Sequence, residues 1–355
     1  MLGLMASDRE RWSLRGPVHT CRLERTWHFM HCGTAACEPE TSGDVSTVEF
    51  RPDGALARRW HQNPDGSEWT STYEYDASGH LLAVLTQNPA GQANREIHEY
   101  DDLGRLTRRI ARDAEGRERV VERYEYPSEG RQAKILHVDP QGPTISGWGV
   151  EGAVGIFSAP GAATVTKIYE REHPVEVLFH DAAGVLLSRI DFRYDEAGNL
   201  VEEAQSRLAF PFAAETESQM SAAQLETIRA MFGGGGHPLR QLHRYDAVGN
   251  RIESISELGL LGQYRRLSTY NSHGDQISEI NEDEHREYGI SDTGELSESA
   301  IKETRTRSEA RFQYQYDAQG NWIEKIIEGR AGENKDFRLS STESRLLTYQ
   351  DSEGT

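Results

Sequence analysis

The chain has 355 residues, of which 36% are hydrophobic, and its mean hydropathy is -0.71. Its 39 Lys and Arg residues against 58 Asp and Glu residues give a net charge of -19, which repels phosphate backbones and anionic membrane surfaces and argues against a nucleic-acid partner. No stretch approaches about 18 consecutive apolar residues, so no membrane-spanning helix is expected and the protein is predicted to be soluble.

Residues 1–11 are expected to form an N-terminal tail. They lack the basic start and the apolar stretch of about 7 to 15 residues that mark a secretory signal peptide. The sequence therefore predicts a cytoplasmic protein, and secretion by a non-classical route stays open as an alternative.

Nitrogen and sulfur donors occur close together near the start of the chain. The three cysteines, Cys21, Cys32 and Cys37, are too few and odd in number for a disulfide framework, which favours a reducing compartment. With His28 and His31 they supply atoms that zinc prefers, but their spacing matches no recognised zinc motif. A local disulfide or unpaired thiols are the favoured interpretations, and no metal or cofactor is predicted.

Regularly spaced glycines predict strands and turns from residue 54 onward. Gly54, Gly79 and Gly104 lie 25 residues apart, and a second series with the same spacing lies between them, so a turn recurs every 12 or 13 residues. A βαβ crossover needs at least about ten to twelve residues between strands, so these short steps predict antiparallel neighbours.

The first break in this rhythm is an insert at 143–172. It is rich in glycine and alanine and is predicted to be a long loop or a pair of short strands. Its segment "GWGVEG" at 147–152 has the G-x-G-x-x-G spacing of dinucleotide-binding proteins. It lacks the preceding buried strand and the following helix that this motif requires, so a loop is the favoured interpretation.

The phrase "FRYDEAGNL" at 192–200 recurs in altered form at 243–251 and at 314–322. Asp195 can accept a hydrogen bond from the backbone two residues later, and Gly198 can adopt the left-handed conformation that closes a hairpin turn. Apolar and charged residues alternate before this turn, which predicts a half-buried strand.

A second insert, at 203–240, carries a predicted helix at about 221–232. Ser221 and Gln224 form a capping box, while Leu225, Ile228 and Phe232 recur at helical spacing. We expect the apolar side of this helix to pack against the sheet.

These features predict an all-β fold of roughly twenty strands in a long antiparallel meander. So many strands accumulate twist, so the sheet is expected to curl into an open spiral or a barrel-like form. Residues 12–355 are predicted to be a single domain, interrupted only by the two irregular inserts.

The repeated phrases, with "YEYDASGHL" at 73–81 and "HEYDDLGRL" at 98–106, resemble the YD repeats of the RHS family. Members of that family wind such repeats into a spiral β-sheet, which in large toxins encloses a toxic C-terminal domain. This chain is short for such a shell and has no Asp-Pro-x-Gly boundary, so the resemblance implies the fold and not the toxin role.

The residues that match the motif are interpreted as scaffold, and four tryptophans are proposed as a ligand surface because aromatic platforms bind sugars and peptides well. The motif positions are Tyr75, Asp76, Gly79, Tyr100, Asp101, Gly104, Tyr194, Asp195, Gly198, Tyr245, Asp246, Gly249, Tyr316, Asp317 and Gly320. The tryptophans are Trp60, Trp69, Trp148 and Trp322.

No hydrolase elbow, zinc-protease helix or phosphate-binding loop occurs. The adjacent carboxylates Glu202 and Glu203 are interpreted as part of a solvated sheet face, since neighbours on a strand point in opposite directions. The leading hypothesis is a non-enzymatic bacterial binding or scaffold module for a protein or a glycan. The alternative is an enzyme, or a fragment associated with a toxin, whose active groups lie in the two inserts.

Overall fold

The computed structural model describes residues 7–32, 37–128, 131–137, 162–171, 173–208, 221–222, 225, 239–290, 296–332 and 336–350. The chain, for which the sequence predicts one domain, divides into two compact units. We call residues 1–120 and 310–355 the terminal unit, and residues 121–309 the central unit.

Nearly all of the described chain is β-strand, which confirms the all-β prediction. The twenty strands are β1 (Val18–Cys32), β2 (Cys37–Phe50), β3 (Leu56–Gln62), β4 (Glu68–Tyr75), β5 (Leu81–Gln87), β6 (Ala93–Tyr100), β7 (Leu106–Arg112), β8 (Glu118–Ser128), β9 (Arg131–His137), β10 (Thr164–Glu170), β11 (His173–His180), β12 (Leu186–Tyr194), β13 (Leu200–Arg207), β14 (Leu239–Tyr245), β15 (Arg251–Glu257), β16 (Gly262–Tyr270), β17 (Gln276–Ile290), β18 (Leu296–Tyr316), β19 (Trp322–Ala331) and β20 (Arg338–Tyr349).

In the terminal unit, strands that follow one another in the chain pair antiparallel from β1 through β7, as the short steps predict. β19 likewise pairs with β20. β1 pairs not only with β2 but also with β20 over Val18–Trp27. The facing edges of the first and last strands are therefore hydrogen-bonded to each other. The expected open spiral is wrong on this point.

The central unit continues the antiparallel meander from β8 through β17. In β12, Ile190 and Phe192 are buried while Arg189 and Arg193 are exposed, which confirms the alternation predicted from the sequence. The core of this unit consists of Ala162, Val165, Val177, Phe179, Leu187, Ile190, Phe192 and Leu239. A separate core in the terminal unit consists of Leu14, Val18, Cys21, Val48 and Phe50.

Residues 7–11 do not behave as the tail expected from the sequence. The short helix α1 (Asp8–Arg11) has a capping box formed by Ser7 and Glu10. It is attached to a nearby turn by its backbone and by one side chain, since Arg9 N donates to Gly54 O at 3.1 Å and Leu56 N donates to the Asp8 carboxylate, Oδ2, at 2.9 Å. This helix stabilises the start of the chain against the β2–β3 turn.

Much of the two inserts lies outside the described residues. In the first insert the described part contains β10, so one of the predicted short strands is present. Most of the helix predicted at 221–232 also lies outside the described residues, although Leu225 N donates to Ser221 O at 3.1 Å. A 3-10 turn occurs at Gly259–Leu261. Among the residues that the structure describes, no helix is both long and apolar enough to span a membrane.

Candidate functional site

The aspartate of each repeat phrase organises the turn that follows it. Asp195 Oδ1 accepts hydrogen bonds from Ala197 N at 3.0 Å and Asn199 N at 2.8 Å, and Asn199 Nδ2 donates to Asp195 Oδ2 at 3.0 Å. Gly198 has φ of 85°, as the predicted turn requires. The side-chain and backbone hydrogen bonds from Asn199 hold the pKa of Asp195 below its ordinary value. The same geometry recurs at Asp76, Asp101, Asp246 and Asp317.

The tyrosine of the phrase attaches its turn to an earlier strand. Tyr75 Oη donates to Leu56 O at 2.8 Å, Tyr100 Oη to Leu81 O at 2.9 Å and Tyr194 Oη to Pro174 O at 2.7 Å. Burial raises the pKa of Tyr194, which keeps its hydroxyl protonated as a donor. The tyrosine and aspartate side chains are thus already used within the scaffold.

Trp60 lies in a shallow depression of the terminal unit with a volume of about 350 Å³, lined by Arg22, Val45, Thr47, Trp60, Gln62 and Glu68. The strand register explains this depression. Trp60 is directly opposite Thr47 on β2 and Thr70 on β4, so a large ring lies between two short side chains. The Arg58 guanidinium lies 5.4 Å from the centre of the Trp60 ring.

The other proposed tryptophans do not join Trp60. Trp69 is directly opposite His61, the residue after Trp60, so it lies on the other face of the sheet, where it is 41% exposed. Trp322 is only 8% exposed, and the Arg345 guanidinium lies 3.6 Å from its ring centre. Trp148 lies outside the described residues. The four tryptophans therefore do not form one ligand surface.

The cysteines are spread along β1 and β2. Cys21 is buried with a free thiol whose pKa is raised by burial. It lies eleven residues before Cys32 on the same strand, which is about 36 Å at the usual rise of about 3.3 Å per residue. Cys32 is directly opposite Cys37 in the register, the backbone position that a local disulfide would use. Within the described part of the chain, no three His, Cys, Asp or Glu residues are grouped to hold a metal ion.

The structure also contains two cross-strand pairs of serine and histidine that the sequence did not predict. In the central unit, Ser254 Oγ lies 3.1 Å from His243 Nδ1, and His243 Nε2 lies 3.3 Å from Glu203 Oε1. In the terminal unit, Ser46 Oγ lies 2.8 Å from His61 Nδ1, and His61 Nε2 lies 3.1 Å from Asn63 Oδ1. The partners come from adjacent strands, so only the register of the sheet brings them together.

The interpretation of Glu202 and Glu203 as a solvated pair is wrong for one of them. Glu202 binds the Arg193 guanidinium at 2.7 Å. Glu203 instead points to the buried face, because it is directly opposite Phe192 in the register of β12 and β13, and it is only 1% exposed. Adjacent residues of a strand do face opposite sides of the sheet, and for this reason the Glu203 carboxylate lies on the buried side.

A second depression, of about 410 Å³, lies in the central unit. It is lined mainly by charged side chains of opposite sign that already bind one another. Arg265 contacts Glu253 at 2.6 Å and Glu282 at 3.3 Å, and Arg307 contacts Glu282 at 3.1 Å. Since these charges are largely compensated, the depression does not select a ligand charge.

No family model and no curated protein matches the chain. The solved structures similar to it include a porin-like protein from Bacteroides uniformis ATCC 8492, with 13% identity over 94% of this chain and 99% of that chain and a TM-score of 0.34. They also include TcdB2-TccC3 without its hypervariable C-terminal region, with 15% identity over 88% of this chain and 18% of that chain and a TM-score of 0.24. Both TM-scores are too low to carry an argument about function.

Proposed function

We propose that the chain is a binding module that takes a neutral glycan at the Trp60 depression. The single observation that supports this is an aromatic ring set between threonines and surrounded by side chains that can donate or accept hydrogen bonds. Sugar rings present apolar C–H faces, which stack on aromatic rings, and hydroxyl groups, which pair with polar side chains.

The chemistry of the depression favours a sugar over an apolar ligand. Arg22 and Glu68 bring opposite charges to its rim, while Thr47 and Gln62 offer neutral donors and acceptors. Arg58 lies over Trp60, so a ligand would use the remaining ring surface. The net charge of -19 disfavours a strongly anionic polysaccharide.

The repeat scaffold is consistent with this role. The tyrosines of the YD-like phrases attach turns to strands and so support the surface of the sheet. The family resemblance also suggests a scaffold of this kind. We keep a protein partner, a cytoplasmic location and non-classical secretion as proposals that rest on the sequence alone.

The test is a screen of neutral oligosaccharides against the full chain, followed by calorimetric titration of the best binder. Trp60→Ala should weaken binding at least about tenfold, since losing a stacking platform costs about 1.4 kcal/mol or more. Trp69→Ala is the matched control, because Trp69 is on the neighbouring strand but on the opposite face. Binding by no oligosaccharide, or equal loss in both variants, would contradict the proposal.

A further inference from the structure

Three side chains on adjacent strands of the central unit form a continuous hydrogen-bonded chain. His243 on β14 is directly opposite Ser254 on β15. Glu203 on β13 is opposite Gln241, so it lies diagonal to His243 and within reach of its ring. The order Ser254, His243, Glu203 is that of a nucleophile, a general base and a group that orients the base.

The carboxylate determines which histidine nitrogen can act as the base. A carboxylate only accepts hydrogen bonds, so His243 Nε2 must carry the hydrogen that bonds Glu203 Oε1 at 3.3 Å. In the neutral ring this leaves a lone pair on Nδ1, which lies 3.1 Å from Ser254 Oγ. Ser254 can therefore give its proton to His243.

Burial supports a role for the carboxylate beyond packing. The side chains of His243 and Glu203 are 2% and 1% exposed, whereas Ser254 is only partly buried. Among the described residues, Glu203 Oε2 is buried without a hydrogen-bond partner. A buried carboxylate that no Lys or Arg of the described residues neutralises would stabilise the imidazolium formed when His243 takes a proton.

The pair of Ser46 and His61 in the terminal unit has the opposite arrangement. Ser46 is 4% exposed, so the hydroxyl is hidden, while the His61 side chain is 31% exposed. Its Nε2 contacts the neutral amide of Asn63, while Asp44 Oδ2 lies 3.5 Å from Nδ1, the nitrogen that faces Ser46. A nucleophile must be reachable and its base shielded, and of these two pairs the Ser254 pair meets both conditions.

We propose that Ser254 is an acyl-accepting nucleophile, with His243 as its general base and Glu203 as a positioning residue, and that the substrates are esters. Ser254 Oγ forms a bond to the acyl carbon, its proton passes to His243 Nδ1, and the ester C–O bond breaks as that proton reaches the departing alcohol. Water, deprotonated by the same nitrogen, then releases the acid and restores the serine. This activity goes beyond the glycan binding proposed above and corresponds to the enzyme alternative, although only Glu203 lies within a predicted insert.

The experiment treats the full chain with an alkyl fluorophosphonate, in which Ser254 Oγ would form a bond to phosphorus and fluoride would leave. Peptide mass spectrometry should find one phosphonyl group on Ser254, formed about 100-fold faster than any on Ser46, as expected for general-base assistance. p-Nitrophenyl acetate should be hydrolysed by the wild type and not by Ser254→Ala. His243→Phe should lose both reactions.

Glu203 needs a readout that a purely structural residue would not change. In the wild type, ¹⁵N shifts should show His243 as the Nε2–H tautomer, and Glu203→Gln should give a mixture of tautomers together with slower labelling. Ser46→Ala should label at the wild-type rate. Unlabelled Ser254 in a folded wild-type protein, or labelling no faster than that of Ser46, would overturn the proposal.

Discussion

The turn that ends at Asn199 in the central unit and the turn that ends at Asn321 in the terminal unit share the pattern Asp-x-x-Gly-Asn. Their local bonds are the same, since Asn199 N and Asn321 N donate to the preceding aspartates at 2.8 and 2.9 Å. The Asn199 amide then bonds only Asp195 within the described residues. Asn321 instead bonds both ends of the chain.

Asn321 connects the segment before β1 with the last strand. Its Oδ1 accepts from Arg15 N at 2.6 Å, and its Nδ2 donates to Arg15 O at 2.9 Å and to Tyr349 Oη at 2.9 Å. The residue is 1% exposed. The comparison shows that the phrase itself specifies a turn, while the strands around it decide whether the asparagine supports only that turn or also the pairing of the chain ends.

The largest expected effect comes from removing this connection. Asn321→Ala removes a buried side chain that bonds Arg15 N and O and Tyr349 Oη, of which Tyr349 Oη keeps its bond to Asp317, and should lower the free energy of unfolding by about 2 kcal/mol or more. Asn199→Ala, the matched control, should cost less than about 1 kcal/mol because its bonds are local and partly exposed. Urea denaturation measures both values. Equal losses would mean that the Arg15 and Tyr349 contacts add nothing to the turn.

A smaller effect is expected from the tyrosine that precedes the turn. Tyr194→Phe removes the hydrogen bond to Pro174 O and should cost about 1 kcal/mol. Tyr245 occupies the same place in its repeat but makes no hydroxyl bond among the described residues, so Tyr245→Phe should be close to neutral. The same denaturation series tests both variants. A neutral Tyr194→Phe would show that ring packing alone attaches the turn.

The repeat phrases made the local structure predictable, because the Asp and Gly positions determine each turn and the steps between them are too short for anything but antiparallel neighbours. The pairing of β1 with β20 could not be predicted in this way. It joins residues more than 300 positions apart, such as Cys21 and Leu347, and no local signal indicates which distant strand covers an edge.

The candidate sites were harder to predict for a related reason. Trp60 was found because an aromatic residue is conspicuous, but which tryptophans share a face depends on counting residues along each strand. Ser254, His243 and Glu203 carry no motif, and they meet only once the register of β13, β14 and β15 is known. A simple period-two count from Phe192 would have placed Glu202 on the buried face, and only the bulge between Arg193 and Tyr194 puts Glu203 there instead.

The smallest effect separates the two functions of Asn199 within its own turn. Its side-chain hydrogen bond is the main cause of the lowered pKa of Asp195, and the Asn199 backbone N–H lowers that pKa further. Because the folded pKa lies below the ordinary value of 3.8, this interaction stabilises the fold above that pH and is lost as the pH falls through the folded pKa.

Asn199→Ala removes the side-chain contribution to this pKa shift and keeps the backbone contribution. A ¹³C carboxyl titration should therefore show the Asp195 pKa rising part of the way, with Asp246, whose partner Asn250 is intact, unchanged. An unmoved Asp195 would assign its whole shift to the backbone N–H groups of the turn.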